Sequence, residues 1–369
     1  MSTWIRGKLH QLVKEELNAG KEIIICPYGE WGMLLADLLE KAYGRKNTII
    51  LDNGLSKYNP DIHSVEDLSK YDTKNMTLIL TSTSAKNSEE IQSQIKALGI
   101  NICIKNILEL ETEERSYKES YFRDIKKILS CKKVVGKELI RVGSGEGDGG
   151  YIMIDDFDHT MVAYSCGIGN DVSWDMDIAN KGMKVFMYDH TISRLPRVHN
   201  NFIFYNFGIG EGSKCLPLGE ILKKNGHLDN RDLILKMDIE GAEWEVLNDI
   251  SSDLLYNFKQ ISLELHDICK WEWRQKILKV LQKIRMTHQA VWIHGNNAGQ
   301  AEVANGILIP NLIEVTFVRK DSYLLIDAEC DFPMSLDLPN LKYRNDFELG
   351  NWGRGKLNCA WAILLKMQL

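Results

Sequence analysis

The sequence predicts two consecutive α/β blocks, each built on a mostly parallel sheet. Short continuous apolar runs at residues 22–26, 162–165 and 233–236 have the character of buried parallel strands. Segments with helical spacing of apolar residues alternate with these runs. Several runs end directly in a turn or an acid, as at Pro27-Tyr28-Gly29, Gly167-Ile168-Gly169, Asp189 and Asp238. Open parallel sheets place their ligand-binding loops beyond strand ends of this kind.

The elements follow in order. Ile5, Leu9, Leu12, Val13 and Leu17 predict a helix over 4–19, stopped by Gly20. A strand at 22–26, a helix at 33–43, strands at 48–51 and 78–81, a helix at 88–98 and a strand at 100–104 make a small doubly wound domain of residues 1–107. Tyr117, Tyr121, Phe122, Ile125 and Leu129 predict a linking helix within 108–135. The second domain, 136–369, has strands at 162–165, 184–188, 201–205, 233–236, 260–265, 290–293 and 314–318. Helices are expected at 174–181, from 243 and at 270–285, and a C-terminal extension follows.

Composition narrows the function. At 369 residues, two domains are expected. A net charge of −6 and a pI near 5.9 argue against nucleic acid or an anionic membrane surface as partner. No apolar run reaches the ~18 residues of a membrane span, and the first thirty residues lack a signal-peptide core, so a cytoplasmic location is expected. The eight cysteines are scattered without a CxxC pair, which fits reduced thiols.

The first candidate site is the glycine turn at Gly167 and Gly169, which follows a strand and precedes a helix. Glycines there let the backbone approach a ligand closely, and Asp189, about twenty residues on, suits the hydroxyls of a ribose. The third glycine of the dinucleotide fingerprint is absent, since Val172 stands in its place. That turns the reading towards S-adenosylmethionine, whose sulfonium needs no pyrophosphate cradle.

The second candidate site joins two strand ends. Asp238, Glu240 and Glu243 follow one strand, and Glu264, His266 and Asp267 end the next. Asp238, His266 and Asp267 are the expected ligands of a divalent metal such as Mg, Mn or Fe, with Glu264 as a substitute for Asp267. Glu243 also suits the N-terminus of the following helix. His294, at another strand end, is a candidate base, with His266 as the alternative, and Asp238 is expected to act with them in catalysis. His10, His63, His227 and His288 have no partner in view in the sequence.

Lys236-Met237-Asp238-Ile239-Glu240-Gly241-Ala242-Glu243 and Ser165-Cys166-Gly167-Ile168-Gly169 resemble the FkbM-type S-adenosylmethionine-dependent methyltransferases. Gly147-Asp148-Gly149-Gly150-Tyr151, Glu264-Leu265-His266 and His294-Gly295-Asn296-Asn297 extend the resemblance over roughly 136–320. The resemblance implies a class I methyltransferase fold and O-methylation of sugars or polyketides. It implies Gly167, Gly169 and Asp189 at the methionine and ribose side of the cofactor, Gly208 and Ile209 near adenine, and Asp238 at the methyl-transfer edge. Ser165-Cys166 stands where an acid often precedes the glycine, which leaves Asp148 as the substitute anchor for the methionine amino group.

The expected substrate is a nucleotide-activated sugar, such as a GDP-linked heptose or hexose precursor of a surface polysaccharide. The first block resembles the small Rossmann-like domain ahead of some bacterial sugar-modifying transferases. Pro27 replaces a fingerprint glycine there, so docking, nucleotide-sugar contact or homo-oligomerisation is expected over dinucleotide binding. In the tail, Trp352, Arg344 and Arg354 suit sugar stacking and phosphate pairing, set against plain packing. The rival readings are a non-catalytic scaffold protein and a nicotinamide-dependent sugar oxidoreductase.

Overall fold

A computed structural model describes residues 3–45, 48–329 and 331–353. The chain divides into two compact units, Met1–Lys118 and Glu119–Leu369, with the division falling inside the helix Ile107–Ile128. Arg354, Cys330 and Cys359 of the sequence reading lie outside the described residues. The other six cysteines are free thiols.

The first unit holds a four-stranded parallel sheet. Its strands lie in the order Ile49–Ile50, Glu22–Cys26, Met76–Leu80, Cys103–Asn106. The alternation of strand side chains divides its core. Ile23, Ile25 and Ile79 pack on one face with Leu9, Val13, Leu35 and Leu39 from two helices. Ile24, Cys26, Leu78 and Leu80 pack on the other face with Leu51, Leu68 and Ile95. The turn after the first strand is closed by its own surroundings. Asp52 Oδ2 accepts from Tyr28 N at 3.0 Å, and Thr81 Oγ1 donates to Pro27 O at 2.5 Å. A β-carbon on Gly32 would meet Pro27 O at 2.5 Å, so glycine serves packing there.

The second unit holds a seven-stranded sheet. In spatial order the strands are Phe202–Tyr205, Lys184–Tyr188, Val162–Cys166, Leu233–Met237, Phe258–Leu265, Ile313–Arg319 and His288–Gly295. All neighbours run parallel except Ile313–Arg319, which is antiparallel to both of its partners. The strands Val162–Cys166 and Leu233–Met237 are buried throughout, which explains their unbroken apolar character. Between them the strand order reverses, and the ligand crevice of an open sheet belongs there.

The register aligns the chemistry. Cys166 pairs with both Tyr188 and Met237, and Met237 pairs with Leu263. The next residues, Asp189, Gly167, Asp238 and Glu264, therefore share one row beyond the paired ends. Glu264 faces Glu314, and Glu314 faces His294, so the row continues across two more strands.

Sequence reading missed the hairpins Leu139–Gly143 with Gly150–Ile154 and Ala301–Ala304 with Ile307–Pro310. The helix expected over 270–285 begins with the 3-10 turn Trp271–Trp273 and continues as Arg274–Thr287.

Candidate active site

A cavity of about 960 Å³ opens beyond the switch point of the second sheet. Every expected cofactor residue lines it: Asp148, Gly167, Gly169, Asp189, Gly208 and Ile209. Asp238 lines it as well, whereas His266, Asp267 and His294 do not.

Asp189 organises the glycine turn. Its Oδ2 accepts from the backbone N–H groups of Ile168 and Gly169, both at 2.9 Å. Its Oδ1 accepts from Thr191 N at 2.7 Å and Thr191 Oγ1 at 2.6 Å. Burial pushes its pKa up, but these four hydrogen bonds outweigh burial and hold it below the ordinary value. The expected ribose acid is thus first of all the buried clasp of the turn. Gly167 takes a φ of +80° against the Asp238 backbone, where only glycine fits.

Lys236 and Asp175 are cavity residues to which the sequence reading gave no role. Lys236 Nζ donates to Gly167 O at 2.6 Å and lies 3.9 Å from Asp238 Oδ2. Asp175 sits on the helix Ser173–Asn180 and is 2% exposed. Burial pushes its carboxyl up to about 6, against the opposing pull of the Lys236 ammonium. A charged residue at a buried helical position was the signal in the sequence, masked by acids on either side at Asp171 and Asp177. Asp148 is exposed at the rim, and its Oδ1 accepts from Asn340 Nδ2 at 3.0 Å.

Beside Asp238 the row of acids is buried. Tyr151 OH lies 3.5 Å from Asp238 Oδ2, and Asn296 Nδ2 donates to Glu264 Oε1 at 2.6 Å. Burial raises the Glu264 pKa well above normal, and the charges of Asp238 and Glu314 and a hydrogen bond to Asp238 raise it further. Glu264 therefore favours its acid form beside Asp238, and it lies outside the group of donors that Asp238 forms with Glu240 and His266.

The expected metal set changes. Donor atoms of Asp238, Glu240 and His266 lie within 4.8 Å of one another. Asp267 is outside this group. The strand ends at Leu265 and Asp267 turns away with a φ of +57°, its Oδ1 accepting from Asn311 Nδ2 at 3.3 Å. His266 Nε2 is 3.5 Å from Glu240 Oε2, while Nδ1 is 3.2 Å from Oε1 of the buried Glu243. That carboxylate also accepts from Ile239 N at 2.8 Å, which explains its burial next to the helix start. An imidazole backed by a carboxylate on one nitrogen and facing two carboxylates with the other has the donor chemistry of a divalent-cation site. Burial alone would lower the His266 pKa, but Glu243, Asp238 and Glu240 raise it overall.

His294 is corrected outright. It is buried with Nδ1 3.1 Å from Glu314 Oε2 and Nε2 2.8 Å from Asp346 Oδ2. Burial would lower its pKa, but the two carboxylates raise it to about 10. Both nitrogens donate, so no lone pair is left to accept a proton. His227 and His288 also gain partners: His227 Nδ1 meets Tyr164 OH at 2.7 Å, and His288 Nε2 meets Phe258 O at 2.8 Å.

The tail builds the wall next to this row. Asn340 donates to both Asp148 and Glu314, and Trp292 Nε1 donates to Asp337 Oδ1 at 2.7 Å. Trp352 is 1% exposed and so is not presented for sugar stacking, whereas Arg344 is exposed, with Nη1 donating to the carbonyl of Asn297 at 3.2 Å.

Residues 151–290 match the family model for the methyltransferase FkbM domain. Over 118 residues the chain is 29% identical to the probable methyltransferase-like protein 24 of Homo sapiens, a match covering 28% of this chain and 32% of that protein. The chain thus spans about a third of that relative's length. Among solved structures it is similar to methyltransferase FkbM from Methylobacillus flagellatus KT (12% identity, 83% of this chain and 92% of that one, TM-score 0.33). It is also similar to a mutant of the 16S rRNA (adenine(1408)-N(1))-methyltransferase from Catenulisporales acidiphilia (12% identity, 49% and 98%, TM-score 0.24). The family match over residues 151–290 supports a methyltransferase-family function, and that family implies S-adenosylmethionine as the methyl donor.

Proposed function

We propose that the chain is an S-adenosylmethionine-dependent O-methyltransferase acting on a sugar hydroxyl, with a nucleotide-activated sugar as the acceptor to test first. The observation that carries this reading is the row Asp189, Gly167, Asp238 at the strand-order reversal, opening on one cavity. When bound, S-adenosylmethionine supplies a methyl group on a sulfonium leaving group. Gly167 and Gly169 let the backbone approach it, and Asp189 holds their turn rigid. Asp238 accepts the proton of the acceptor hydroxyl at the cavity edge. Glu264, kept in its acid form, donates a hydrogen bond to Asp238 and fixes its orientation.

The buried acids of this edge suit hydroxyl donors of a sugar. Outside the cavity lining, Lys276 pairs with the cavity residue Glu245, and Lys270 and Lys276 stack on Trp273, a cation and aromatic group of the kind a nucleotide would use. A divalent cation held by Asp238, Glu240 and His266 would lower the pKa of the acceptor hydroxyl.

The test is a 14 Da mass gain on a panel of nucleotide-sugars incubated with the protein and S-adenosylmethionine, with and without EDTA. A gain on one sugar, lost in Asp238→Asn, supports the reading, and sensitivity to EDTA adds the cation. No gain on any sugar, with Asp238→Asn indistinguishable from the parent, removes the sugar assignment.

A further inference from the structure

We propose that Asp175 and Lys236 form a clamp for the amino-acid end of the methyl donor, Asp175 taking the α-ammonium and Lys236 the α-carboxylate. The proposal rests on the S-adenosylmethionine reading of the cavity and assigns the subsite which that reading leaves without an anchor.

Both residues line the cavity, and Lys236 Nζ donates to Gly167 O in its glycine turn. Asp175 is 2% exposed; the buried Ser165 hydroxyl lies near enough to draw its pKa down, yet Oδ1 forms no hydrogen bond of good geometry among the described residues. A buried carboxylate oxygen left unpaired is costly and calls for a partner from outside the chain. Asp175 and Lys236 come from a helix and the strand Leu233–Met237, near enough to affect each other's charge but without a contact ion pair between them. Two fixed opposite charges held apart complement a zwitterion, which carries both signs on one carbon.

The remaining lining residues sharpen the assignment. Lys236 is the single lysine or arginine among those described as lining the cavity, and it stands among many acids. A bound carboxylate therefore has one cation to meet. Lys236 spends one N–H on Gly167 O and lies 3.9 Å from Asp238 Oδ2, beyond hydrogen-bond distance, so it keeps donors for a ligand. Asp148, the anchor expected from sequence, is exposed and already tied to Asn340. Exposed charge pairs are worth little next to buried ones whose partner is supplied.

Isothermal titration of the full chain with three adenosine ligands tests the clamp. S-adenosylhomocysteine carries both charged groups, its decarboxylated form S-adenosyl-3-thiopropylamine carries the ammonium alone, and 5′-deoxy-5′-methylthioadenosine carries neither. The parent protein is expected to bind S-adenosylhomocysteine at least 100-fold more tightly than methylthioadenosine. Asp175→Asn should weaken the first two ligands at least tenfold and spare the third. Lys236→Gln should weaken S-adenosylhomocysteine at least tenfold and spare the other two. Methylthioadenosine doubles as a folding control, since a collapsed site loses it too, and either variant alone can decide. A parent ratio near one, or variants that keep the parent ratio, overturns the clamp. A parent protein that binds none of the three ligands fails the S-adenosylmethionine reading itself.

Discussion

A β-carbon built on Gly167 would lie 1.6 Å from the carbonyl oxygen of Asp238. The two strand ends that frame the cavity therefore meet backbone to backbone, and the turn at Gly167 cannot carry a side chain. Gly167→Ala must push these strand ends apart and costs about 4 kcal/mol or more. Gly169 also has a positive φ, +55°, but open space where its β-carbon would be. Gly169→Ala should cost only the about 1–2 kcal/mol of left-handed backbone strain. Thermal melts of the two variants check the contrast, and equal losses would contradict the close approach.

Asp189 gives a second prediction. Its carboxylate collects four hydrogen bonds from the turn and from Thr191. Asp189→Ala leaves the buried backbone N–H of Ile168 unpaired and frees that of the exposed Gly169, and should cost about 1–3 kcal/mol. It should also weaken S-adenosylhomocysteine at least 100-fold, because the turn that carries Gly167 and Gly169 loses its clasp. Binding at parental affinity would show that the clasp is dispensable.

His294 predicts a pH dependence. Its pKa is raised in the folded protein to about 10, above the ordinary 6.5. Its contribution to stability is therefore fully present below about pH 6.5 and is lost as pH rises towards 10. His294→Ala leaves the buried Glu314 and the half-buried Asp346 without their shared cation, at a cost of about 3–5 kcal/mol at neutral pH. Denaturant midpoints from pH 6 to 10 should fall for the parent and fall less for the variant. Parallel curves would contradict the ion triad.

Glu264 predicts an asymmetry between two substitutions. As a neutral acid it is mimicked by glutamine, so Glu264→Gln should keep the parental melting temperature within about 2 °C. Glu264→Ala removes the partner of both Asn296 and Asp238 and should cost about 1–3 kcal/mol. A glutamine variant as unstable as the alanine variant would mean that the ionised form is the one required.

Much of this was legible in the sequence because buried parallel strands write themselves as apolar runs and their ends as glycine or acid. Gly167, Gly169, Asp189 and Asp238 were read that way, and all four line one cavity. What stayed hidden depends on register and on distant segments. Glu314 lies in an apolar run, yet only its pairing opposite Glu264 and His294 reveals the buried charge row. Asp346 and Asn340 come from a tail without periodic pattern, so their contacts with His294 and Asp148 had no local signal. Glu240 stands in the candidate cation site in place of Asp267, and both take a positive φ, which their spacing does not show.

The central claim is that the cavity at the strand-order reversal holds S-adenosylmethionine. Calorimetric titration of the full chain with S-adenosylhomocysteine tests it most directly, because it needs no knowledge of the acceptor. The account predicts one site per chain with a Kd in the micromolar range, about −8 kcal/mol, abolished in Gly167→Ala and in Asp189→Ala. Absence of binding by the folded parent protein, or binding unchanged in both variants, would contradict it.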